Sequence, residues 1–337
     1  MKNIVIFDEY NEIDLKPSEL LRRYIELTAQ DVQELLAVPS SLHDVACPAC
    51  GRGEGKSAFV KFGLQYRECQ GCRTLYISPR PDDKAIYHYY LKSRARCFWR
   101  DELFKATDKK RKEKIIKPRF QWILESTQEH HPSAKVWVDV NTSQYGYIDA
   151  MIQSRAFDQK ILLNPYLVLD PARDHRIRIL QEPWWTTSLH REVDVISIFE
   201  VANHTSDIHA LFSRLNDMLR PGGLCFMTAI LASGFDVQIL WDKAENIYPP
   251  DRMNAFTIEG LKLLFERHGF ECLEFSTPGI LDVEIVAKSL IDHPGLAVPR
   301  FVRNIIENRD EDIQQAFQEF LQASLLSSYG RILLRKC

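Results

Sequence analysis

The sequence lacks a long hydrophobic run. Its best candidate, residues 222–235, is shorter than the roughly 18 apolar residues that a membrane-spanning helix needs, and glycine interrupts it. We interpret this stretch as a buried strand and expect no membrane span. A secretory leader is not expected either, because acidic Asp8 and Glu9 follow closely on the N-terminus. These absences predict a cytoplasmic protein.

An excess of charge of one sign is also absent. The 43 Lys and Arg residues nearly balance the 46 Asp and Glu residues, for a formal net charge of −3. Nothing in this balance favours nucleic acid or an anionic membrane as a partner. The chain has 337 residues, 45% of them hydrophobic, which is enough for two globular parts.

Four of the eight cysteines follow a regular pattern. Cys47 and Cys50 form one C-x-x-C pair, and Cys69 and Cys72 form another after 18 intervening residues. This spacing is typical of a zinc ribbon, in which two tight turns bring four thiolates around one tetrahedral ion. The intervening segment alternates as a β-hairpin would. The sequence therefore predicts a structural Zn²⁺ site within a ribbon at residues 43–80.

The alternative for these pairs is two reactive or disulfide-bonded C-x-x-C units. A catalytic zinc is disfavoured, because four thiolates leave no position for water. Without a leader, the cysteines indicate a reducing compartment, where thiols bind metal or pack as small apolar groups. The remaining cysteines are interpreted as structural residues: Cys97, Cys225, Cys272 and Cys337.

Helical patterns flank the ribbon. We expect a helical arm over residues 1–42, with one helix from Pro17 and a second, short one over residues 31–38. Residues 81–130 are expected to form a helical linker. Within it, residues 105–119 hold eight Lys or Arg against two acids. A basic run on a helix is usually a solvated face, and binding of a phosphate-bearing or other anionic partner is the sharper alternative.

From residue 131 to residue 337, predicted strands alternate with predicted helices. This rhythm predicts an α/β fold: a Rossmann-like, doubly wound, mostly parallel sheet with helices on both faces. A helical insertion over about residues 285–328 precedes the last strand, residues 331–335, which we expect at an edge of the sheet. The other expected strands are residues 135–140, 161–164, 176–180, 193–199, 224–228 and 270–276.

Residues 193–228 resemble class I S-adenosylmethionine-dependent methyltransferases. The run from Glu200 to His204 is similar to the motif after their fourth strand, and residues 219–223 are similar to the turn before their fifth. With the ribbon, the stretch at residues 78–81 and the segment at residues 277–283, the resemblance extends over residues 43–337. It is to the group with an N-terminal zinc-binding domain, many members of which act on sugars or accompany surface-polysaccharide synthesis. It implies methyl transfer to a small-molecule or glycan acceptor, a sugar or a nucleotide-linked sugar, in glycan biosynthesis.

The resemblance also implies a site for S-adenosylmethionine. In such enzymes the first strand ends in an acidic residue and a glycine-rich turn, because the backbone must pass close to the ligand. Here Asn141, Ser143 and Tyr145 stand where glycines are expected. Asn164 stands where a carboxylate normally accepts the ribose hydroxyls. The implied cofactor-binding residues are Asp139, Asn141, Ser143, Gly146, Asn164, Glu182 and Phe199.

His204 and Glu200 are the candidate catalytic residues. His204 could act as a base near the acceptor, or it could cap the helix that follows. Glu200 could orient the ligand or the base, or it could be a buried hydrogen-bonding carboxylate. Trp184 and Trp185, after Glu182, could stack on a ring or belong to the core. The loop at residues 248–251 could cover the substrate.

Two functions therefore stay open at the level of the sequence. The fold and the pairing of domains favour a methyltransferase. The altered glycine turn favours a catalytically inactive, methyltransferase-like binding or scaffold protein with a structural zinc site. An unrelated reaction on the same fold is the remaining possibility.

Overall fold

A computed structural model describes residues 12–141, 145–166 and 176–337. The strands are β1 (Leu42–His43), β2 (Gly55–Lys61), β3 (Leu64–Cys69), β4 (Leu75–Ile77), β5 (Arg80–Pro81), β6 (Val136–Val140), β7 (Gln159–Leu163), β8 (Arg178–Leu180), β9 (Val193–Phe199), β10 (Leu219–Ile230), β11 (Asn254–Ala255), β12 (Phe270–Ser276) and β13 (Tyr329–Lys336).

Helices connect these strands and form two larger groups, one before and one after the ribbon. The helices are α1 (Glu12–Leu15), α2 (Ser18–Leu35), α3 (Asp83–Lys92), α4 (Arg94–Phe98), α5 (Phe104–Arg111), α6 (Lys117–His130), α7 (Tyr145–Gln153), α8 (Val201–His204), α9 (Ile208–Met218), α10 (Phe235–Leu240), α11 (Ile258–Arg267), α12 (Asp282–Asp292), α13 (Arg300–Asn308) and α14 (Glu311–Ala323). Two π-helical turns, Trp99–Leu103 and Lys112–Ile116, lie on either side of α5.

The main sheet has seven strands in the order β12-β13-β10-β9-β6-β7-β8. All neighbouring pairs are parallel except those made by β13, which is antiparallel to both β10 and β12. The expectation of a Rossmann-like, doubly wound sheet is therefore confirmed. The expected edge position of the last strand is wrong. β13 lies inside the sheet, between β12 and β10, and its residues Ile332, Leu333 and Leu334 are fully buried.

Side chains alternate along each strand, so every strand contributes to both faces of the sheet. Both faces are covered by helices. Val136, Val138 and Val140 of β6 pack into a core shared with α9, α11 and the cysteine cluster. Trp137 points to the opposite face and packs with α6 and α7. Helix α9 illustrates the sequence signal, since its apolar residues recur at helical spacing and are all buried: Ile208, Leu211, Phe212, Leu215 and Met218.

The cysteine-bearing segment folds into a small antiparallel sheet with the order β11-β4-β3-β2. The predicted hairpin is confirmed, with β2 and β3 paired antiparallel. Its outer strand, β11, comes from the chain after β10, so backbone hydrogen bonds join the ribbon to the segment that follows β10. The N-terminal arm differs from expectation, because α2 is one continuous helix rather than two.

The helical insertion before the last strand is also present as α12, α13 and α14. Among the described residues, no helix combines the length and the apolar character needed to cross a bilayer.

Candidate active site and cysteine cluster

A cavity of about 400 Å³ opens at the carboxyl ends of β6 and β9. Asn141 follows β6, and Phe199 and Glu200 end β9; all three line the cavity. The order of the sheet reverses at this place, because the chain continues from β6 to β7 on one side and places β9 on the other. In open α/β sheets, ligands bind in the crevice outside the strand ends at such a switch point.

Glu200 has an unusual backbone conformation. Its φ of 63° and ψ of 2° lie in the left-handed region, which is uncommon for a residue other than glycine. Its N–H nevertheless donates to the Thr228 carbonyl at 2.9 Å. Strained residues of this kind concentrate at functional sites. The conformation turns the chain sharply from β9 into α8 and directs Glu200 to the cavity.

The Glu200 carboxylate lies between two arginines. Arg252 Nη2 donates to Oε2 at 2.5 Å, and Arg119 Nη2 donates to Oε1 at 3.3 Å. Arg119 also donates to the Tyr329 hydroxyl, at 3.2 Å from Nε and 3.0 Å from Nη2. Burial raises the pKa of Glu200, but Arg252 and Arg119 outweigh it and lower that pKa to about 2. Glu200 is therefore ionised at neutral pH and orients the arginines rather than serving as a base.

His204 ends α8 and lines the same cavity. Its ring lies edge-on to Tyr90, with 5.5 Å between ring centroids. Burial lowers the pKa of His204 to about 4, so the imidazole is neutral at pH 7 and can accept a proton, although weakly. The alternative as a helix cap is not supported, because Asp207 caps α9 by accepting from Ala210 N at 2.9 Å.

The loop at residues 248–251 also lines the cavity, as the sequence suggested for a substrate-covering loop. Asp251 accepts hydrogen bonds from the hydroxyls of Tyr24 and Tyr90, both at 2.6 Å. Burial, followed by the charge of Asp251, raises the pKa of both tyrosines, so both stay protonated donors. Helix α2, in the N-terminal arm, is thereby fastened over the cavity.

The predicted cofactor residues fall into different environments. Asp139 is fully buried within β6 and accepts from Ser197 Oγ at 2.6 Å, so it is not among the residues lining the cavity. Asn141 does line the cavity and has a φ of +64°, a conformation that suits glycine and that Asn tolerates. Its Oδ1 is buried and has no hydrogen-bond partner among the described residues. Phe199 also lines the cavity.

The remainder of the predicted cofactor site is described only in part. Ser143 lies outside the described residues, and Gly146 belongs to the first turn of α7. Asn164 follows β7 and is fully buried, with Oδ1 accepting from Tyr166 N at 2.8 Å. Glu182 follows β8 and is half-buried.

The two tryptophans after Glu182 lie away from Glu200. Trp184 is buried in the core, which supports the core alternative for it, and Trp185 packs perpendicular to it at 5.2 Å. Both line a second cavity, of about 540 Å³, beside Cys47 and the start of α9. Neither lines the cavity that holds Glu200 and His204.

Several cavity residues were not found by sequence reasoning, chiefly Arg119, Arg252, Tyr24 and Tyr90. Arg119 belongs to the basic run, so its residue type was visible but its inward direction was not. Arg252 follows the predicted covering loop directly. The pairing of these residues is a tertiary feature that no local pattern contains.

The four predicted metal ligands converge. Cys47 Sγ and Cys72 Sγ lie 3.5 Å apart, as do Cys50 Sγ and Cys69 Sγ, and all four sulfurs lie within 4.8 Å of one another. Sulfurs at the corners of a tetrahedron around zinc would be about 3.8 Å apart for Zn–S bonds of about 2.3 Å. The cluster therefore has the donor set and the dimensions to hold one metal ion.

The cluster is held against α11. Thr257 Oγ1 donates to the Cys72 carbonyl at 2.5 Å, and Arg267 Nη2 donates to the Cys50 carbonyl at 2.8 Å. Gly260 packs directly against the ribbon, because a Cβ there would lie 2.4 Å from Thr74 Oγ1. These contacts with α11 fix the position of the cysteine cluster relative to the main sheet.

The mostly parallel sheet, with a cavity at its switch point, is a Rossmann-like methyltransferase fold. A family model described as a methyltransferase domain matches residues 92–274, more than half of the chain. The chain belongs to this methyltransferase-domain family. No curated protein matches it significantly.

Solved structures with a similar fold include methyltransferases from two bacteria. One is the 1,6-didemethyltoxoflavin-N1-methyltransferase of Burkholderia thailandensis, at 12% identity and a TM-score of 0.47, covering 84% of this chain and 99% of that one. The other is an S-adenosylmethionine-dependent methyltransferase of Mesorhizobium loti, at 12% identity and a TM-score of 0.40, covering 65% of this chain and 98% of that one.

Proposed function

We propose that the protein is a cytoplasmic class I methyltransferase that uses S-adenosylmethionine and acts on a sugar or a nucleotide-linked sugar in glycan biosynthesis. The observation that carries the proposal is the cavity at the switch point, where Glu200 in a strained conformation and His204 face the same space. Membership of the methyltransferase-domain family supports the reaction class. The glycan acceptor is supported by the sequence resemblance alone.

The residues at the end of β6 fit a cofactor in part. Asn141 adopts the left-handed conformation of a glycine turn, and its buried Oδ1 has no partner in the part of the chain that the structure describes. The Asn141 amide fills space beside the cavity that a glycine would leave open to a ligand. Asn164 is less free, since it already accepts from Tyr166 N. When bound, S-adenosylmethionine supplies an electrophilic methyl group on a sulfonium.

The chain itself would contribute orientation, exclusion of water and a proton acceptor. Glu200 fixes Arg119 and Arg252 at one wall. Tyr24 and Tyr90, through Asp251, hold α2 over the cavity and limit the access of water. Neutral His204 is the group in the cavity that could take up the proton of an acceptor hydroxyl.

For the cysteine cluster we propose a structural zinc ion. Four thiolates close the coordination sphere, so the ion would stabilise the ribbon rather than take part in catalysis. Two donors at the cluster fit bound thiolates, since Gly71 N lies 3.3 Å from Cys69 Sγ and Thr74 Oγ1 lies 3.3 Å from Cys72 Sγ. Such second-sphere hydrogen bonds orient metal ligands.

A catalytically inactive binding or scaffold protein is the second candidate function. The observation that favours it is the loop composition, with Asn141, Ser143 and Tyr145 in place of glycines. In that case the cavity would hold a ligand without methyl transfer.

Calorimetric titration of the purified protein with S-adenosylmethionine and S-adenosylhomocysteine tests the proposal. We expect saturable binding of both, in one-to-one stoichiometry. If neither ligand binds at millimolar concentration, the methyltransferase proposal is wrong and the binding or scaffold function is favoured. Glu259 in α11 is exposed, so Glu259→Gln is a control that should bind both ligands with unchanged affinity.

A further inference from the structure

The basic run of residues 105–119 divides into two groups in the structure. Five of its cations are exposed, as expected of a solvated face: Lys105, Lys109, Lys110, Lys112 and Lys117. The other three line the cavity: Arg111, Lys114 and Arg119. The cavity-lining side chains lie in or beside the π-helical turn Lys112–Ile116 between α5 and α6. Such turns recur at functional sites.

Arg111 is the most enclosed of the three, with 7% of its surface exposed. Its guanidinium donates to Thr107 Oγ1 at 2.8 Å and to the Leu15 carbonyl at 2.6 Å, and it lies 4.6 Å from the centre of the Phe104 ring. Among the described residues, no carboxylate forms an ion pair with it. Burial lowers the pKa of Arg111 to about 10, which still leaves it charged at neutral pH.

The immediate surroundings add more positive charge. Arg111 interacts electrostatically with Glu200 and with Arg119, and Glu200 also holds Arg252. Three guanidiniums therefore lie near the Glu200 carboxylate, and the Asp251 carboxylate lies near Arg252. Arg111 is enclosed and has no ion-pair partner among the described residues, so its surroundings are suited to an anionic ligand.

The geometry of guanidinium narrows the choice of anion. Each arginine here makes two or three hydrogen bonds, to Glu200, Tyr329, Thr107 or a backbone carbonyl. A guanidinium has five N–H groups, so each retains donors for a ligand. Three guanidiniums around one cavity match the several oxygens of a phosphate monoester or a diphosphate better than those of a single carboxylate.

We propose that the acceptor carries a phosphoryl group, and that Arg111, Arg119 and Arg252 bind it in this cavity. The assignment as acceptor rests on the proposed methyltransferase function; the anion site itself does not. Lys114, from the same turn, lies at the same wall. The phosphoryl group would hold the acceptor with its reacting atom turned towards His204 and the end of β9.

Inorganic pyrophosphate is the probe for this site. Calorimetry should give saturable binding to the wild-type protein that weakens as salt is added. Arg111→Gln should weaken it about tenfold or more, because a charge-assisted contact is lost. Lys109→Gln is the matched control, since it removes the same charge from the exposed side of the same helix and should leave the affinity unchanged. Circular dichroism checks folding, and Lys114→Gln replaces Arg111→Gln if the latter is unfolded.

Three results would overturn the proposal. The first is that the wild type does not bind pyrophosphate. The second is that Lys109→Gln loses as much affinity as Arg111→Gln. The third is that citrate binds as tightly as pyrophosphate, which would indicate attraction by charge alone. A titration with S-adenosylhomocysteine distinguishes an arginine that binds the acceptor from one that binds the cofactor. If Arg111→Gln lowers that affinity as well, the arginine holds the cofactor's carboxylate instead of the acceptor. If pyrophosphate binds and S-adenosylhomocysteine does not, the methyltransferase function fails while the anion site stands.

Discussion

Glu200 at the end of β9 and Arg252 in the chain after β10 form an ion pair, with 2.5 Å between Oε2 and Nη2. The pair joins the strained turn into α8 to the loop that carries Asp251 and the helix α2 fastened to it. Glu200 therefore has an architectural role in the wall of the cavity, whatever its role in the reaction. Its charge state should be measurable as a dependence of stability on pH.

Replacement of Glu200 by Gln should lower the free energy of unfolding by about 1–3 kcal/mol at pH 7, because hydrogen bonds to a charged group are lost. The folded pKa of about 2 lies below the ordinary value of 4.5, so the contribution is fully present above pH 4.5. It is lost as the pH falls towards 2. The difference between wild type and Glu200→Gln should therefore shrink over this interval in denaturant titrations.

Exposed Glu259 in α11 provides the control, and Glu259→Gln should not alter the stability measurably. The difference in the free energy of unfolding between wild type and Glu200→Gln should be smaller at pH 3 than at pH 7. An equal difference at the two pH values would show that the two arginines do not hold the carboxylate.

The sequence predicted what local patterns determine. The β-branched run of β9 and the spacing of Leu211 and Leu215 in α9 are periodic signals, and both elements form where they were expected. Gly222, with a φ of +77°, likewise makes the turn within β10 that its Pro-Gly-Gly sequence indicates. The two C-x-x-C pairs were sufficient to predict which sulfurs converge.

The rest depends on contacts between distant residues. β13 was placed at an edge because an antiparallel strand inserted between β10 and β12 leaves no mark in its own sequence. The direction of Arg111 and Arg119 depends on a π-helical turn that propensities do not reveal. The roles of Asp139, Ser143, Asn164 and Glu182 in binding a cofactor stay predictions, as do the domain limits near residues 42, 80 and 130.

The cysteine cluster should contain one zinc ion per chain by elemental analysis. Cys69→Ser should abolish it and unfold the ribbon, because the metal supplies folding energy of about 10 kcal/mol or more to so small a module. Cys97, which is exposed and outside the cluster, gives the control Cys97→Ser with full zinc content. Retention of zinc by Cys69→Ser would contradict a four-thiolate site.

Asn141→Gly should raise the affinity for S-adenosylhomocysteine. The position has a φ of +64°, which glycine adopts without the cost that a side chain incurs, and the removed amide leaves more room in the cavity. The triple variant with glycine at Asn141, Ser143 and Tyr145 should raise it further. Calorimetry measures both. Unchanged or weaker affinity would mean that these positions do not correspond to the glycines of a cofactor turn, or that the Asn141 amide itself binds the ligand.

Gly260→Ala tests how the ribbon is held on the main sheet. In an isolated helix this change would stabilise by about 1 kcal/mol, since alanine is the better helix former. Here the new Cβ would lie 2.4 Å from Thr74 Oγ1 and 3.1 Å from Ala49 Cβ, so the ribbon and α11 must separate. We expect a net loss of about 1–3 kcal/mol in the free energy of unfolding and faster removal of zinc by a chelator.

Gly53→Ala is the matched control for this change. Gly53 lies in the ribbon, its added Cβ would meet no atom within 4 Å, and its φ is not positive, so stability and zinc release should stay as in the wild type. The two variants add the same methyl group and differ only in what surrounds it. If Gly260→Ala proves as stable as the wild type, the ribbon does not pack on α11 as the structure has it. If both variants release zinc faster, the effect belongs to the ribbon itself and not to its contact with the sheet.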